Sequence, residues 1–307
     1  MLNTNDNSII ILNINLGVIF LKPILKYRGG KSKEIPSFVD FIPEFDTYYE
    51  PFFGGGATYF HLEPKKAFIS DVNELLINFY SEVGSQKFEK IKQELFELQS
   101  QYEDNRRIFN YRKSLSPNER VDDPNDELYY KMRDMFNGKI LSEYEKATLY
   151  FFINKTAYSG MIRYNSLGEF NVPYGRYANF NTSLLTKGHH KLLSQATIFK
   201  GSYEKAFNLA SHNDFIFLDP PYDTIFTEYG NETFTGDFGE TEHVKLAEDF
   251  KNLSSPSLMI IGETPLISEL YSGFIRGKYP KSYMVNIRNR FKSEANHLII
   301  TNYDIKR

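Results

Sequence analysis

A strand, a glycine turn, a helix and a second strand ending in an acid limit the fold of this chain more than any other feature. Thr47-Tyr48-Tyr49-Glu50-Pro51 reads as a strand that runs into Gly54-Gly55-Gly56, and a helix follows from about Ala57 to Glu63. The run Ala67-Phe68-Ile69-Ser70 ends at Asp71, and Asp71-Val72-Asn73 opens a helix with apolar positions Leu75, Leu76 and Phe79. This β-turn-α-β-α order starts a doubly wound α/β sheet, whose ligands sit beyond the carboxyl ends of its strands. Phe215-Ile216-Phe217-Leu218 reads as a buried strand of the same kind and empties into Asp219-Pro220-Pro221-Tyr222.

The two turns carry the chemistry. Glycines let a backbone approach a ligand closely and supply positive φ angles. A dinucleotide fingerprint fails on spacing, because Tyr59 stands where its third glycine belongs. A phosphate loop fails too, because the glycine required ahead of Gly30-Lys31-Ser32 would fall at Leu25. A nucleoside without phosphates remains, with Asp71 placed to hold ribose hydroxyls. In the second turn two prolines stiffen the backbone and remove two amide donors. A carboxylate, free carbonyls and an aromatic ring suit a planar amine: Asp219 and the Pro220 carbonyl accept from its NH2 while Tyr222 stacks on the ring.

The 307 residues allow about two domains. From about Gly84 to Gln195 the pattern leaves the sheet. Phe88, Ile91, Leu95 and Leu98 are helically spaced, helices are expected near 125–136 and 142–154, and a Gly-, Asn-, Tyr- and Arg-rich hairpin near 156–180. Sheet-like runs resume at Thr197–Lys200, with a helix over 240–253 and further strands at Leu258–Ile261, Tyr283–Ile287 and Leu298–Tyr303, the last two able to pair antiparallel. The chain has no cysteine, which excludes thiolate metal sites and permits a reducing cytoplasm. Its histidines show no ligand spacing, so no metal is expected. Residues 1–20 are too interrupted for a signal peptide or a membrane span. Net charge is only −3, yet cations cluster in three blocks, 22–33, 155–200 and 276–292, that could converge on a phosphate backbone or remain separate solvated faces.

These residues carry a resemblance to the Dam-type DNA adenine methyltransferases. It rests on Leu25-Lys26-Tyr27-Arg28-Gly29-Gly30-Lys31, the Glu50–Gly56 turn, Asp71-Val72-Asn73 and Asp219–Tyr222, in that order. The most specific block is the string Tyr158–Asn165 continuing through Gly168–Tyr177, which resembles the family's DNA-reading hairpin. The resemblance implies a seven-stranded methyltransferase sheet with an inserted, mainly helical recognition domain. The expected division is an extension (1–20), a cofactor-binding part (21–83), the recognition domain (84–195) and a second catalytic part (196–307). It also implies S-adenosylmethionine as cofactor, held by Tyr27, Gly30, Lys31, Pro51, Phe52, Gly54, Gly56, Asp71 and Val72, with Asp219 bordering both ligands. Tyr27 stands where the family usually has Trp.

Catalysis then falls to Asp219, Pro220 and Tyr222, acting on N6 of an adenine rotated out of duplex DNA. DNA contacts are expected from Lys26, Tyr158, Ser159, Arg163, Asn165, Pro173, Arg176 and Tyr177. Arg163 suits a bidentate contact with guanine, and Lys26 and Tyr177 would help read another. Asn is common in the family where Ser159 stands. The expected target contains GA, with GATC leading, and the expected partners are double-stranded DNA, no membrane, and a functionally paired restriction endonuclease. Cytosine-N4 or RNA methylation, and non-catalytic DNA binding, stay open as alternatives.

Overall fold

The structure, a computed structural model, describes residues 20–160, 162–222, 238–282 and 294–305. The expected 1–20 extension up to residue 19, Met161, the strand expected at Tyr283–Ile287 and the cations Arg288, Arg290 and Lys292 lie outside them.

Seven strands form one sheet: β1 (Tyr48–Glu50), β2 (Ala67–Asp71), β3 (Ala196–Lys200), β4 (Phe215–Leu218), β5 (Ser257–Gly262), β6 (Ile275–Ser282) and β7 (Glu294–Thr301). Their spatial order is β3-β2-β1-β4-β5-β7-β6. All neighbours pair in parallel except β7, which runs antiparallel to both β5 and β6. The expected fold class is therefore the observed one. At the described edge β7 pairs antiparallel with Ile275–Ser282, and the expected pairing of Tyr283–Ile287 lies outside the described residues.

Ten helices accompany the described strands: α1 (Ile35–Phe38), α2 (Ala57–Leu62), α3 (Glu74–Val83), α4 (Phe88–Leu115), α5 (Pro124–Phe136), α6 (Lys146–Thr156), α7 (Lys187–Ser194), α8 (Tyr203–Leu209), α9 (Glu240–Lys251) and α10 (Pro265–Leu270). Local chemistry sets several starts. The Asn73 side chain accepts from Leu76 N at the head of α3, Asp123 caps α5 ahead of Pro124, and Thr264 caps α10 ahead of Pro265.

The sheet is covered on both sides, which is why its strands read as unbroken apolar runs. Phe215, Phe217, Leu258, Ile260 and Ile299 belong to one core, with α3 and the helices of the 84–195 stretch. Their alternates Ile216, Leu218, Met259, Ile261, Leu298 and Ile300 pack with α8, α9 and α10 on the other face. Residues 84–195 leave the sheet between α3 and β3 but share the first core. Phe79 of α3 meets Tyr150 and Phe151 of α6 at ring separations of 5.7 and 6.4 Å. Glu94 of α4 accepts from Thr148 Oγ1 and Glu145 N, fixing the start of α6.

Strand order reverses between β1 and β4. Connections from β1 lead away on one side and those from β4 on the other, so a crevice opens at their carboxyl ends. The glycine turn follows β1 and the Asp219 turn follows β4. The topology thus sets the two turns side by side.

Candidate active site

The glycine turn is strained in the way glycine permits. Gly54 and Gly56 have φ of 48° and 64°. A Cβ on Gly56 would lie 2.5 Å from the Phe53 ring, and one on Gly54 would lie 2.7 Å from the Tyr27 ring. The missing side chains are therefore used by aromatic neighbours, and Tyr27 lies against the turn as one wall of the site. Asp71, 8% exposed at the end of β2, braces the same turn: its Oδ2 accepts from Gly54 N and its Oδ1 from Asn73 N, each at 2.9 Å. Burial pushes the Asp71 carboxyl above its ordinary range, against these backbone donors. Glu50 is buried as well and accepts from Tyr48 Oη at 2.8 Å; burial pushes its carboxyl well above the usual range. Pro51 is buried behind the turn, Val72 is exposed beside Asp71, and the Phe52 ring stacks on Tyr203 at 5.7 Å and meets Phe238 edge-on.

The second turn is tied to the first basic block by one side chain. Lys31 is 2% exposed, and its ammonium donates to Asp219 Oδ1 (2.6 Å), Tyr222 Oη (2.7 Å) and the Gly29 carbonyl (3.1 Å). Pro220 is buried beneath this corner and Tyr222 half-buried. Burial pushes the Asp219 carboxyl up, while the charge and hydrogen bond of Lys31 pull it back. The lysine expected beside the cofactor is thus the partner of the acid expected to catalyse.

A cleft of about 310 Å³ opens beside Tyr27. Gly30, Gly55, Lys26, Lys33 and Lys281 are among its lining residues, so cations of the first and third basic blocks meet there. The second block reaches the first at α6. Asn154, 2% exposed, accepts from Lys26 N (2.8 Å) and donates to Lys26 O (2.9 Å). The Lys26 ammonium donates to Lys155 O at 2.9 Å and lies 3.8 Å from the centre of the Tyr177 ring. Burial, and then Lys26, push Lys155 down to about 8. Several other cations pair with acids at the surface: Arg176 with Asp126, Lys187 with Glu89, Lys200 with Glu74 and Lys278 with Glu263.

The 156–180 segment is a hairpin held by isolated bridges, Ala157 with Tyr174 and Tyr164 with Phe170. Tyr158 is 56% exposed and donates its N–H to the carbonyl of exposed Pro173 at 2.9 Å. Arg163 Nε donates to Asn171 Oδ1 at 2.8 Å across the hairpin, which fixes the root of its guanidinium. Asn165, expected on DNA, turns its side chain into the tip instead: Oδ1 accepts from Leu167 N and Glu169 N. Ser159 and Arg176 carry positive φ, 56° and 53°. Tyr177 is gripped through its carbonyl by Tyr102 and Arg106 at 2.6 and 2.7 Å.

Sequence reading missed the polar cluster beneath Tyr222. Glu34, 5% exposed, accepts from His297 Nδ1 (2.6 Å) and Tyr279 Oη (2.8 Å) on one oxygen and from Lys281 on the other. Against the cost of burial, His297, Lys281, the charge of Lys31 and Tyr279 hold the Glu34 carboxyl down at about 2. The only local signal was an acid, Glu34, directly after the basic block 22–33.

No described helix is long and apolar enough to cross a membrane, and no group of three or more described His, Cys, Asp or Glu residues could hold a metal ion.

Known proteins were compared with the whole chain. A type II methyltransferase of Paramecium bursaria Chlorella virus NC1A, M.CviBI, is 34% identical over 293 residues, covering 92% of this chain and 100% of the viral one. M.MjaIII, a type II methyltransferase of Methanocaldococcus jannaschii, is 32% identical over 304 residues, with 92% and 99% covered. A DNA adenine methylase of Salmonella typhi is 27% identical over 285 residues, with 89% and 90% covered. The family model of the D12 class N6 adenine-specific DNA methyltransferases matches residues 27–287. With both turns at the switch point of a seven-stranded sheet and most of its length matched, the chain belongs to the D12 class of N6 adenine-specific DNA methyltransferases.

Proposed function

We propose that this methyltransferase uses S-adenosylmethionine to methylate N6 of an adenine extruded from duplex DNA, within a site containing GA such as GATC. The observation that carries the reading is the corner at the end of β4. There a buried ammonium is held by the Asp219 carboxylate and the Tyr222 hydroxyl, beside a glycine turn braced by Asp71. The corner accepts N–H donors and offers an aromatic face, the two demands of an aminopurine.

The cofactor fits the residues present. Asp71, Tyr27 and the Gly54–Gly56 turn form a cradle, and a Cβ at Gly54 would drive into its aromatic wall. Asp71 would hold the ribose, Tyr27 would stack, and the turn would face the methionine portion. The bound cofactor supplies an activated sulfonium methyl group. The protein has to align amine, carbon and sulfur in a line and accept hydrogen bonds from both N–H groups, one proton leaving the nitrogen once the carbon–sulfur bond has broken and the nitrogen–carbon bond has formed. Burial raises the Asp219 carboxyl and Lys31 opposes that rise, favouring the carboxylate that would accept from N6 and stabilise the positive charge developing there. The Pro220 carbonyl takes the second N–H. Tyr222 stacks on the flipped ring.

Residues 84–195 serve as the recognition domain, and residues 21–83 and 196–307 as the two catalytic parts. Arg163 reads guanine, Lys26 and Tyr177 a second guanine, and Tyr158, Ser159, Pro173 and Arg176 position the duplex. The type II names of the viral and archaeal relatives support pairing with a restriction endonuclease, in which this chain protects its own site. Expression in a methylation-deficient host, with modified bases mapped at single-nucleotide resolution, tests the whole reading. N6-methyladenine at one GA-containing site, abolished by Asp219→Ala, is the expected result. Modified cytosine, or unmodified DNA, would overturn it.

A further inference from the structure

A closed circuit of contacts surrounds Tyr222. Its hydroxyl meets the Lys31 ammonium at 2.7 Å, and its ring meets His297 edge-on, with centroids 5.2 Å apart and planes at 69°. His297 Nδ1 donates to Glu34 at 2.6 Å, and Glu34 N donates to the Lys31 carbonyl at 2.7 Å, closing the circuit within one helical turn. His297 is fully buried and sits opposite Gly262 in the β5–β7 ladder. A Cβ added to Gly262 would come within 3.9 Å of Tyr222 Cγ. The seat of the tyrosine is therefore a glycine backbone and an imidazole ring from adjacent strands. Because the Glu34 carboxylate is ionised, it accepts at Nδ1, which fixes the tautomer and the plane of that ring. Tyr279 meets the same imidazole at 5.7 Å and also bonds Glu34, so the ring is held from a third strand.

We propose that Glu34 and His297 are positioning residues for methyl transfer: they set the Tyr222 ring and, through it, the Lys31–Asp219 corner. The inference rests on the proposed function. Tyr222 is the platform on which a flipped base must lie within reach of Asp219, and small displacements of a reacting group slow chemistry steeply. Neither residue reaches the substrate. Their effect passes through the tyrosine.

The test uses the full chain, S-adenosylmethionine and a duplex bearing the mapped site. Single-turnover methylation, calorimetric binding of the cofactor and thermal unfolding are measured for wild type, His297→Phe, His297→Asn, Glu34→Gln, Tyr222→Ala and His297→Phe/Tyr222→Ala. His297→Phe keeps a buried ring but loses the donor to Glu34. It is expected to slow the methyl-transfer step roughly 10- to 100-fold while cofactor affinity stays within about twofold of wild type. His297→Asn, whose amide can donate in place of Nδ1, recovers part of the rate. Adding His297→Phe to Tyr222→Ala brings little further loss, because both act through one ring.

Wild-type rates in His297→Phe and Glu34→Gln, or fully additive effects with Tyr222→Ala, would overturn the positioning role and leave the proposed function standing. Failure of the wild type to methylate adenine would overturn the functional reading, and the positioning role with it. If His297→Phe does not fold, Glu34→Gln and His297→Asn decide the question.

Discussion

Replacing Lys31 by methionine removes an ammonium held 2.6 Å from Asp219 and 2.7 Å from Tyr222, at a position 2% exposed to solvent. Methionine fills much of the same volume, so the perturbation is chiefly electrostatic. Breaking a buried pair by removing one partner costs about 3–5 kcal/mol, because the other charge stays buried without compensation. The Asp219 side chain keeps 23% of its surface in water, which places the cost near the low end, about 3 kcal/mol.

The pH dependence follows from the same pair. Burial already raises the folded Asp219 carboxyl above its unfolded value, and Lys31 opposes that rise. Without Lys31 the carboxyl moves further up, and the folded state keeps a proton that the unfolded chain releases. The contribution of this carboxyl to the variant's stability is therefore greatest below the ordinary Asp value of about 4 and is lost as pH rises through the elevated folded value. Wild type shows the same trend more weakly. Urea unfolding of wild type, Lys31→Met, Asp219→Asn and the double variant across pH measures both effects. Asp219→Asn is expected to rescue part of the Lys31→Met loss. A loss below about 0.5 kcal/mol at neutral pH, or equal destabilisation by Asp219→Asn in both backgrounds, would refute the reasoning.

Gly54→Ala forces a residue with a side chain to φ 48° and sets its Cβ against Tyr27. Calorimetry should find cofactor affinity reduced about tenfold for roughly 1.4 kcal/mol of displaced contact, and unchanged binding would contradict the cradle. Asn154→Ala removes both hydrogen bonds that clasp Lys26 and, at about 1 kcal/mol for each buried bond, should lower stability by about 2 kcal/mol. The same variant should blur discrimination at the guanine assigned to Lys26, scored on duplexes substituted at single positions. Ser159→Asn places a residue tolerant of left-handed geometry at φ 56° and should raise stability by about 0.5–1 kcal/mol in urea; a lower midpoint would argue against strain there.

The sheet was legible where both of its faces are covered. β4 and β5 are unbroken apolar runs because α8–α10 bury one set of alternates and α3 the other. β6 was not legible. Ile275-Arg276-Gly277-Lys278-Tyr279-Pro280-Lys281 is an edge strand, where charges and a proline are tolerated and pairing with β7 alone makes it a strand. The far half of α4 was missed for a similar reason, since Tyr102 is its last buried residue and no apolar period marks the turns to Leu115. At the site, Asp219, Tyr222, Asp71 and the glycines could be found because each stands directly after a strand. The Lys31–Asp219 pair spans 188 residues, and Glu34 and His297 are 263 apart, so neither carried a local pattern. The turn made by the Asn165 side chain was not legible, because Asn165-Ser166-Leu167-Gly168 was read for its place in the hairpin and not for the backbone amides of Leu167 and Glu169 that Oδ1 accepts. The basic blocks overstated the free charge because local spacing does not show partners such as Asp126 or Glu263.

The separation of 263 positions between Glu34 and His297 also bears on synthesis. Gly54, Gly56 and Asp71 lie within the first quarter of the chain, whereas the imidazole against Tyr222 comes from β7, one of the last strands to emerge. Long-range closures of this sort are late steps. The surroundings of Tyr222 are therefore complete only once β7 has paired with β5.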